Sequence, residues 1–376
     1  MRAGVDELAA LFLDLLHIAS PSGGEGEVAG AVKRFAAAAG LECTEDDSAA
    51  TTGLGSGNLI VRVPGRGEGT PIALCAHLDT VPLPHAPEVV VENGVVRSDG
   101  TTILGADDKA AVCALLMTAR DLAQDPPAAD VELVLTVGEE IGLQGAKALD
   151  VSLLRARAVF VLDSEGAPGT VITSAPTHKA VDAVFTGVAA HAGIEPQAGR
   201  SAVVAAARAV AAMQLGRIDE ETTANVGIVR GGSAVNVVPE RCEVRAEARS
   251  RDLAKVAAQV EHLVAALNLA AAEVGVDVQV DVHEDYRGYS HDPDSPAMRL
   301  ATAAIGRAGL EPRLVGGGGG SDANVFNAAG LPAVTLGVGF EHVHSPAERM
   351  SLERLGRLYE LAHALVLVAG EPDRAG

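Results

Sequence analysis

Six acids and two histidines stand where apolar runs end or glycine turns begin. They are His77 and Asp79 in "ALCAHLDTVP", Asp107 and Asp108 in "GADDKA", Glu139 and Glu140 in "LTVGEE", Asp163 in "FVLDSEG", and His344 in "HVHSPAE". Carboxylates gathered at one place repel: a pair about 4 Å apart costs roughly 4 kcal/mol at an effective dielectric of 20. Either several hold protons or cations sit among them, and His77 and His344 favour the second answer. Imidazole and carboxylate without thiolate is a donor set suited to zinc, with cobalt or manganese as substitutes. Two ions sharing a bridging carboxylate would neutralise the cluster and activate a water. Each piece alone also has a plainer reading. A His-x-Asp is commonly structural, an acid pair after a strand commonly starts a helix, "GADDKA" can be a capped helix N-terminus, and "GGGGGSD" a flexible loop. Their order and placement together are what argue for a metal site.

The elements that must position these groups follow from the hydrophobic pattern. "GNLIVRVPG", "PIALCAHL", "DVELVLTVGEE" and "ARAVFVLDSEG" read as strands and "ADDKAAVCALLMTARDLA" as a helix. Strands alternating with helices predict an α/β unit with a doubly wound, mostly parallel sheet. In such sheets the sites lie outside the carboxyl ends of the strands, where three of these strands deliver their acids. From about Thr177 to Tyr289 the rhythm changes to strand, Ala-rich helix, two strands, long helix and strand. That βαββαβ order is the ferredoxin-like plan. We therefore expect a catalytic domain over residues 1–176 and 291–376, with an inserted ferredoxin-like lid or dimerisation domain over 177–290. "HDPDSP" is the return linker, and the chain ends with a helix, the glycine run, the strand "PAVTLGVG" and a last helix from Ser351.

Composition narrows the function class. Over 376 residues, 50 acidic against 29 basic side chains leave a formal charge of -21, which disfavours nucleic acid or an anionic membrane as partner. The first helix is interrupted by Asp6, Glu7 and Asp14, unlike a signal-peptide core. No apolar run is long enough to span a bilayer. The four cysteines have no metal-type spacing and fit a reducing compartment, so the expected location is cytoplasmic.

In order and over nearly the whole chain, "HLDTVP", "GADDKA", "GEEIGLQGAK", "FVLDSEG", "HAGIEPQAGRSA", "GGSAVNVVPERCEVRAEARS", "GGGSDANVF" and "HSPAE" resemble the dizinc metallopeptidase family. That family includes peptidase T, glutamate carboxypeptidases, aminoacylases and succinyl-diaminopimelate desuccinylase, and the peptidase T-like branch is the most similar. The resemblance implies two zinc ions. His77, Asp107 and Asp163 would hold one, and Asp107 would bridge to a second completed by Glu140 and His344. Residue chemistry leaves Asp107 and Asp108 equivalent; only the motif position, two before Lys109, selects Asp107. His344 is preferred over His342 because it directly precedes Ser345. Asp79 would accept from the His77 ring and fix its tautomer, and Glu139 would be the general base. The resemblance further implies that His191 steadies an oxyanion across a homodimer formed through the inserted domain. Asn236 and Arg249 would grip a substrate carboxylate or carbonyl, and Gly319, Gly320 and Ser321 would let the backbone approach the substrate. For His191 the plainer reading is a polar turn, and for Arg249 an edge-strand charge.

The implied reaction is hydrolysis of an amide bond in a short peptide, releasing the N-terminal residue. The alternative is a carboxypeptidase or a deacylase acting on an N-acyl amino acid. A nucleotide-binding protein using the glycine run as a phosphate loop would need Lys-Ser or Lys-Thr after it, whereas Ser321-Asp322 follows. A metal scaffold without catalysis would lack a base or a ligand, and none is missing from the pattern.

Overall fold

The computed structural model describes residues 4–371. By contact the chain gathers into two compact units. One holds the described residues up to Thr173, His291–Gly316 and those from Ser321 onward; the other holds Ser174–Ser290 and Gly317–Gly320.

In the first unit, Val131–Thr136, Ile72–His77, Ala158–Leu162 and Ala333–Leu336 lie side by side in that order, all parallel. Every residue of these four strands is buried. Strands covered on both faces have no polar side to alternate with, so they read as unbroken apolar runs. Leu59–Val63 and Glu42–Glu45 extend one edge antiparallel, and Thr170–Ala175 pairs antiparallel at the other. Parallel neighbours require a crossover, and the helix Ala106–Gln124 links Ile72–His77 to Val131–Thr136. Its small side chains let it lie close: Ala110 to Met117 are all buried, and Val5–Leu16, Gly26–Ala38 and Leu352–Ala369 pack around it. Fully burying a side chain such as Phe160 or Leu74 contributes about 1.5–3 kcal/mol. No described helix is long and apolar enough to cross a membrane.

Two departures from the sequence pattern bear on the site. The helical run at "ADDKA" was expected to include its acids, but Asp107 (φ -80°, ψ 104°) and Asp108 (φ -117°, ψ 26°) are not helical, and the peptide between them is cis. The backbone here follows tertiary partners described below rather than helix propensity. The second departure is a small antiparallel sheet of Val89–Glu92, Val95–Ser98 and Arg349–Ser351. Its signal was present. Asn93 and Gly94, at φ 51° and 75°, make the two-residue turn that an Asn-Gly pair favours between hairpin strands.

The second unit has its own core, centred on Phe185, Val244 and Leu263. Thr177–Thr186, Thr222–Gly231, Arg241–Ser250 and Asp277–Tyr286 form one antiparallel sheet, backed by the helices Ala202–Ala212 and Leu253–Val274. Across the sheet the order is Thr222–Gly231, Arg241–Ser250, Thr177–Thr186, Asp277–Tyr286, which is the ferredoxin-like arrangement, with the short strand Gly216–Arg217 added at the edge. Both helices are properly started. Ser201 accepts from the Val204 N–H, and Asp252 from those of Ala254 and Lys255.

Candidate metal centre

The parallel register collects the ionisable groups. His77 lies opposite Thr136, so the next residues of both strands, Leu78-Asp79 and Val137 to Glu140, leave the sheet at the same edge. Leu162 lies opposite Leu336, and Asp163 follows it there, its N–H donating to the Leu336 carbonyl. Asp107 arrives on the turn before the crossover helix. His344 comes from a loop whose ends, Glu341 and Arg349, pair with each other.

These approaches produce two groups that share a member. His77, Asp107 and Asp163 each offer a ligand atom within 4.8 Å of the others, and so do Asp107, Glu140 and His344. His77 Nε2 is 3.2 Å from Asp107 Oδ1 and 4.0 Å from Asp163 Oδ1. His344 Nε2 is 3.3 Å from Asp107 Oδ2 and 3.0 Å from Glu140 Oε1. The two oxygens of Asp107 thus face opposite ways, one toward each histidine. A third combination, His77, Glu139 and Glu140, also falls within 4.8 Å. Asp108 stands apart: its Oδ2 accepts from the His77 N–H at 3.3 Å, and its buried Oδ1 has no partner among the described residues. His342 contributes only a main-chain carbonyl to the loop, accepting from Ser345 Oγ at 2.7 Å.

Asp79, fully buried, organises the edge. It accepts from Ser22 Oγ at 2.7 Å and from the backbone N–H groups of Glu139 and Glu140 at 3.0 and 3.2 Å. The His77 Nδ1 lies closer to the Asp79 carbonyl (3.0 Å) than to its carboxylate (3.5 Å), so main chain and side chain of one residue both face that nitrogen. Asn58 supports the next turn, accepting from the Val137 N–H at 3.2 Å and donating to the Gly145 carbonyl at 2.9 Å.

The electrostatics show what the donor set lacks. Burial opposes charge on His77, but Asp107, Asp79 and Asp163 outweigh it and hold the imidazole well above its ordinary range. Asp107 and Glu140 raise His344 to about 10. Burial would raise Asp107, yet His344 and His77 draw it down to about 2. Burial, with like charge around it, pushes Glu139 and Asp163 far up, and burial raises Asp322 to about 6. Acids that retain protons and imidazoles that gain them are one cluster asking for positive charge, which divalent cations would supply in place of protons. Imidazole with carboxylate donors fits zinc, cobalt or manganese.

Three contributors escaped the sequence reading. Ser22 and Asn58 carry no pattern of their own. Glu348 ends "HSPAE", and its residue type and spacing imply no role. Asp322 is also buried, accepting from Thr136 Oγ1 at 2.5 Å, and begins the helix Asp322–Ala328, which Ser321 caps from a buried position.

The remaining predicted residues belong to the second unit. His191 is exposed, its Nδ1 accepting from the Gly193 N–H at 3.2 Å. Its backbone pairs with Val237, and the Ala192 N–H donates to the Asn236 carbonyl at 2.9 Å, so His191 and Asn236 sit on adjacent loop segments. Arg249 is half-buried. Its Nε and Nη2 donate to the two oxygens of Glu247 at 3.2 and 2.9 Å, and its Nη1 donates to the Tyr286 hydroxyl at 3.2 Å. Of the glycine run, Gly319 and Gly320 fall in this unit, and Gly320 lies against the Tyr286 ring, where a Cβ would come within 2.4 Å.

Comparison with known proteins places this architecture. The family model described as Peptidase family M20/M25/M40 matches residues 73–368. YqjE of Bacillus subtilis (strain 168), an uncharacterised protein, is 41% identical over 356 residues, covering 94% of this chain and 96% of that one. The solved structure of aminopeptidase PepT from Bacillus cereus is 38% identical with a TM-score of 0.86, covering 98% of this chain and 99% of its own. A tripeptidase structure from Staphylococcus aureus is 35% identical with a TM-score of 0.92, covering 98% and 100%. With the match running from the first site strand to the last helix, the chain belongs to peptidase family M20/M25/M40 and is a hydrolase of that family.

Proposed function

We propose that this chain is a dinuclear zinc exopeptidase that releases the N-terminal residue of short peptides, tripeptides above all. The observation that carries the reading is the pair of ligand groups meeting at Asp107, one closed by His77 and Asp163, the other by Glu140 and His344. Those residues would hold the two ions, which when bound supply Lewis acidity and water activation. The substrate class is supported by the likeness to an aminopeptidase and a tripeptidase over almost the full chain.

The chain's own groups divide the remaining work. Glu139 lies beside both ligand groups without being needed by either. In this reading its carboxylate takes a proton from the attacking water and returns it to the leaving amine. Asp79, by holding the N–H groups of both glutamates, keeps Glu139 and Glu140 in fixed relation. His191 donates to the oxyanion from a second copy of the chain, which makes the working form a homodimer joined through the inserted domain. Asn236 and Arg249 orient the substrate, with Gly319, Gly320 and Ser321 lining its path. The Arg249 fork is already engaged by Glu247. Location in the cytoplasm accords with the unpaired cysteines.

The test is a panel of di-, tri- and N-acylated peptides with added zinc, cobalt or manganese. Free tripeptides should be cleaved at the first bond and acylated amino acids ignored; preference for the acylated set would overturn the specificity. Glu139→Ala should abolish turnover while two ions stay bound, and retained turnover would remove Glu139 from its role.

A further inference from the structure

One buried carboxylate ties together the two chain segments that carry Asp107 and His344. Glu348 is 1% exposed. Its Oε2 accepts from the N–H groups of Leu104 and Gly105, both at 2.8 Å, and its Oε1 from the N–H of Asp107 at 3.0 Å. Gly105, at φ 77°, turns the chain so that these N–H groups converge. One side chain therefore satisfies three donors of the turn that presents Asp107.

The segment carrying Glu348 is itself braced. Glu341 and Arg349 exchange backbone hydrogen bonds at 3.0 and 3.1 Å, closing the loop that holds His344. Inside it the Glu348 N–H donates to the Ser345 carbonyl at 3.0 Å, and Ser345 Oγ to the His342 carbonyl at 2.7 Å. His344 is fixed at φ 61°, a left-handed conformation uncommon for a residue with a side chain. Glu348 thus locks a stiff His344 loop to the Asp107 turn. His77 and Asp163 take their positions from the sheet instead and are not touched by these bonds.

We infer that Glu348 is a positioning residue for one ion of the pair, the one held by Asp107, Glu140 and His344, because it sets the spacing between Asp107 and His344. The inference rests on the dinuclear reading above and adds to it an asymmetry: one site takes His77 and Asp163 from strand ends and shares only Asp107, while the other depends on both segments that this carboxylate fastens together. Glutamine at 348 keeps one acceptor oxygen and turns an NH₂ toward an N–H donor in either orientation. The loop-built site, which depends on both fastened segments, should weaken more than the strand-built site, which shares only Asp107.

The experiment titrates the native chain, Glu348→Gln, His344→Ala and Glu341→Gln with cobalt(II), following visible absorption, and counts bound ions at buffered free zinc. Folding is checked by circular dichroism without metal. The native chain should bind two ions. E348Q should bind the second ion about 10–100-fold more weakly, with the cobalt band of that site altered, and should lose less affinity at the first, which shares only Asp107; H344A should weaken the second at least as much. E341Q, in the same loop, breaks the 2.6 Å ion pairs to Arg349 and to Arg354 of the following helix and should bind both ions normally. If E348Q does not fold, Glu348→Asp, which keeps the charge but shortens its reach, carries the same expectation. Native binding of both ions by the folded variant overturns the inference, as does equal weakening of both sites or loss of the second ion in E341Q. A native chain that binds fewer than two ions removes the dinuclear reading itself.

Discussion

Replacing Asp79 by Asn is the sharpest probe of how the site edge is held. In the native chain its Oδ1 accepts from the Glu139 N–H at 3.0 Å, and its Oδ2 from Ser22 Oγ at 2.7 Å and the Glu140 N–H at 3.2 Å. Asparagine places an NH₂ at one of these corners. With the amide nitrogen at the Oδ2 corner, the Ser22 hydroxyl can rotate and accept, but the Glu140 N–H cannot and meets another donor. The other orientation confronts the Glu139 N–H in the same way. One main-chain donor left unpaired costs about 1–3 kcal/mol, and the surviving bonds lose their charge assistance, on the order of 0.5–1 kcal/mol each. Relief of the buried charge offsets part of this, leaving a destabilisation of about 2 kcal/mol. Movement of the Glu139-Glu140 turn by about 1 Å would cost on the order of 10²-fold in turnover. The assays are denaturant unfolding of the metal-free protein and kcat/KM on a tripeptide. An Asp79→Asn chain that unfolds with the native one and keeps turnover within about threefold would refute the idea that Asp79 positions the two glutamates.

Two further outcomes test other parts of the molecule. Gly145→Ala would place a Cβ 2.3 Å from the Val137 carbonyl and 2.4 Å from Asn58 Oδ1. The turn after Glu140 must then move, and the variant should lose about 1–3 kcal/mol of stability together with most turnover; native turnover would show that this turn is not tied to the site. In the second unit, His178, whose Nε2 lies 2.8 Å from Glu247 Oε2, holds Glu247 down at about 2 from its usual 4.5 with help from Arg249. A depressed carboxylate stabilises above its unfolded pKa and loses that contribution as pH falls through the window from 4.5 toward 2. Because Glu247 is partly solvated, the full shift is discounted to about 1 kcal/mol. Glu247→Gln should therefore flatten the acid limb of a stability-against-pH curve between those values, and an unchanged limb would count against the pairing.

Much of this protein was legible in its residues because its sheet is buried. The strands Ile72–His77, Val131–Thr136 and Ala158–Leu162 identify themselves as unbroken apolar runs, and the groups that follow them share an edge because parallel strands end together. The βαββαβ order of the inserted unit was equally plain, since its amphipathic helices and alternating strands carry their own periods. What no local pattern could decide was which acid faces which histidine. Asp107 and Asp108 are adjacent and chemically alike, yet only Asp107 lies within reach of both His77 and His344, because turn dihedrals and bonds from Glu348, 241 residues away, aim it there. His342 and His344 differ in the same way, by loop geometry rather than type. Composition and periodicity place a residue at an edge; the direction of its side chain depends on long-range hydrogen bonds, which exist only once the chain has folded.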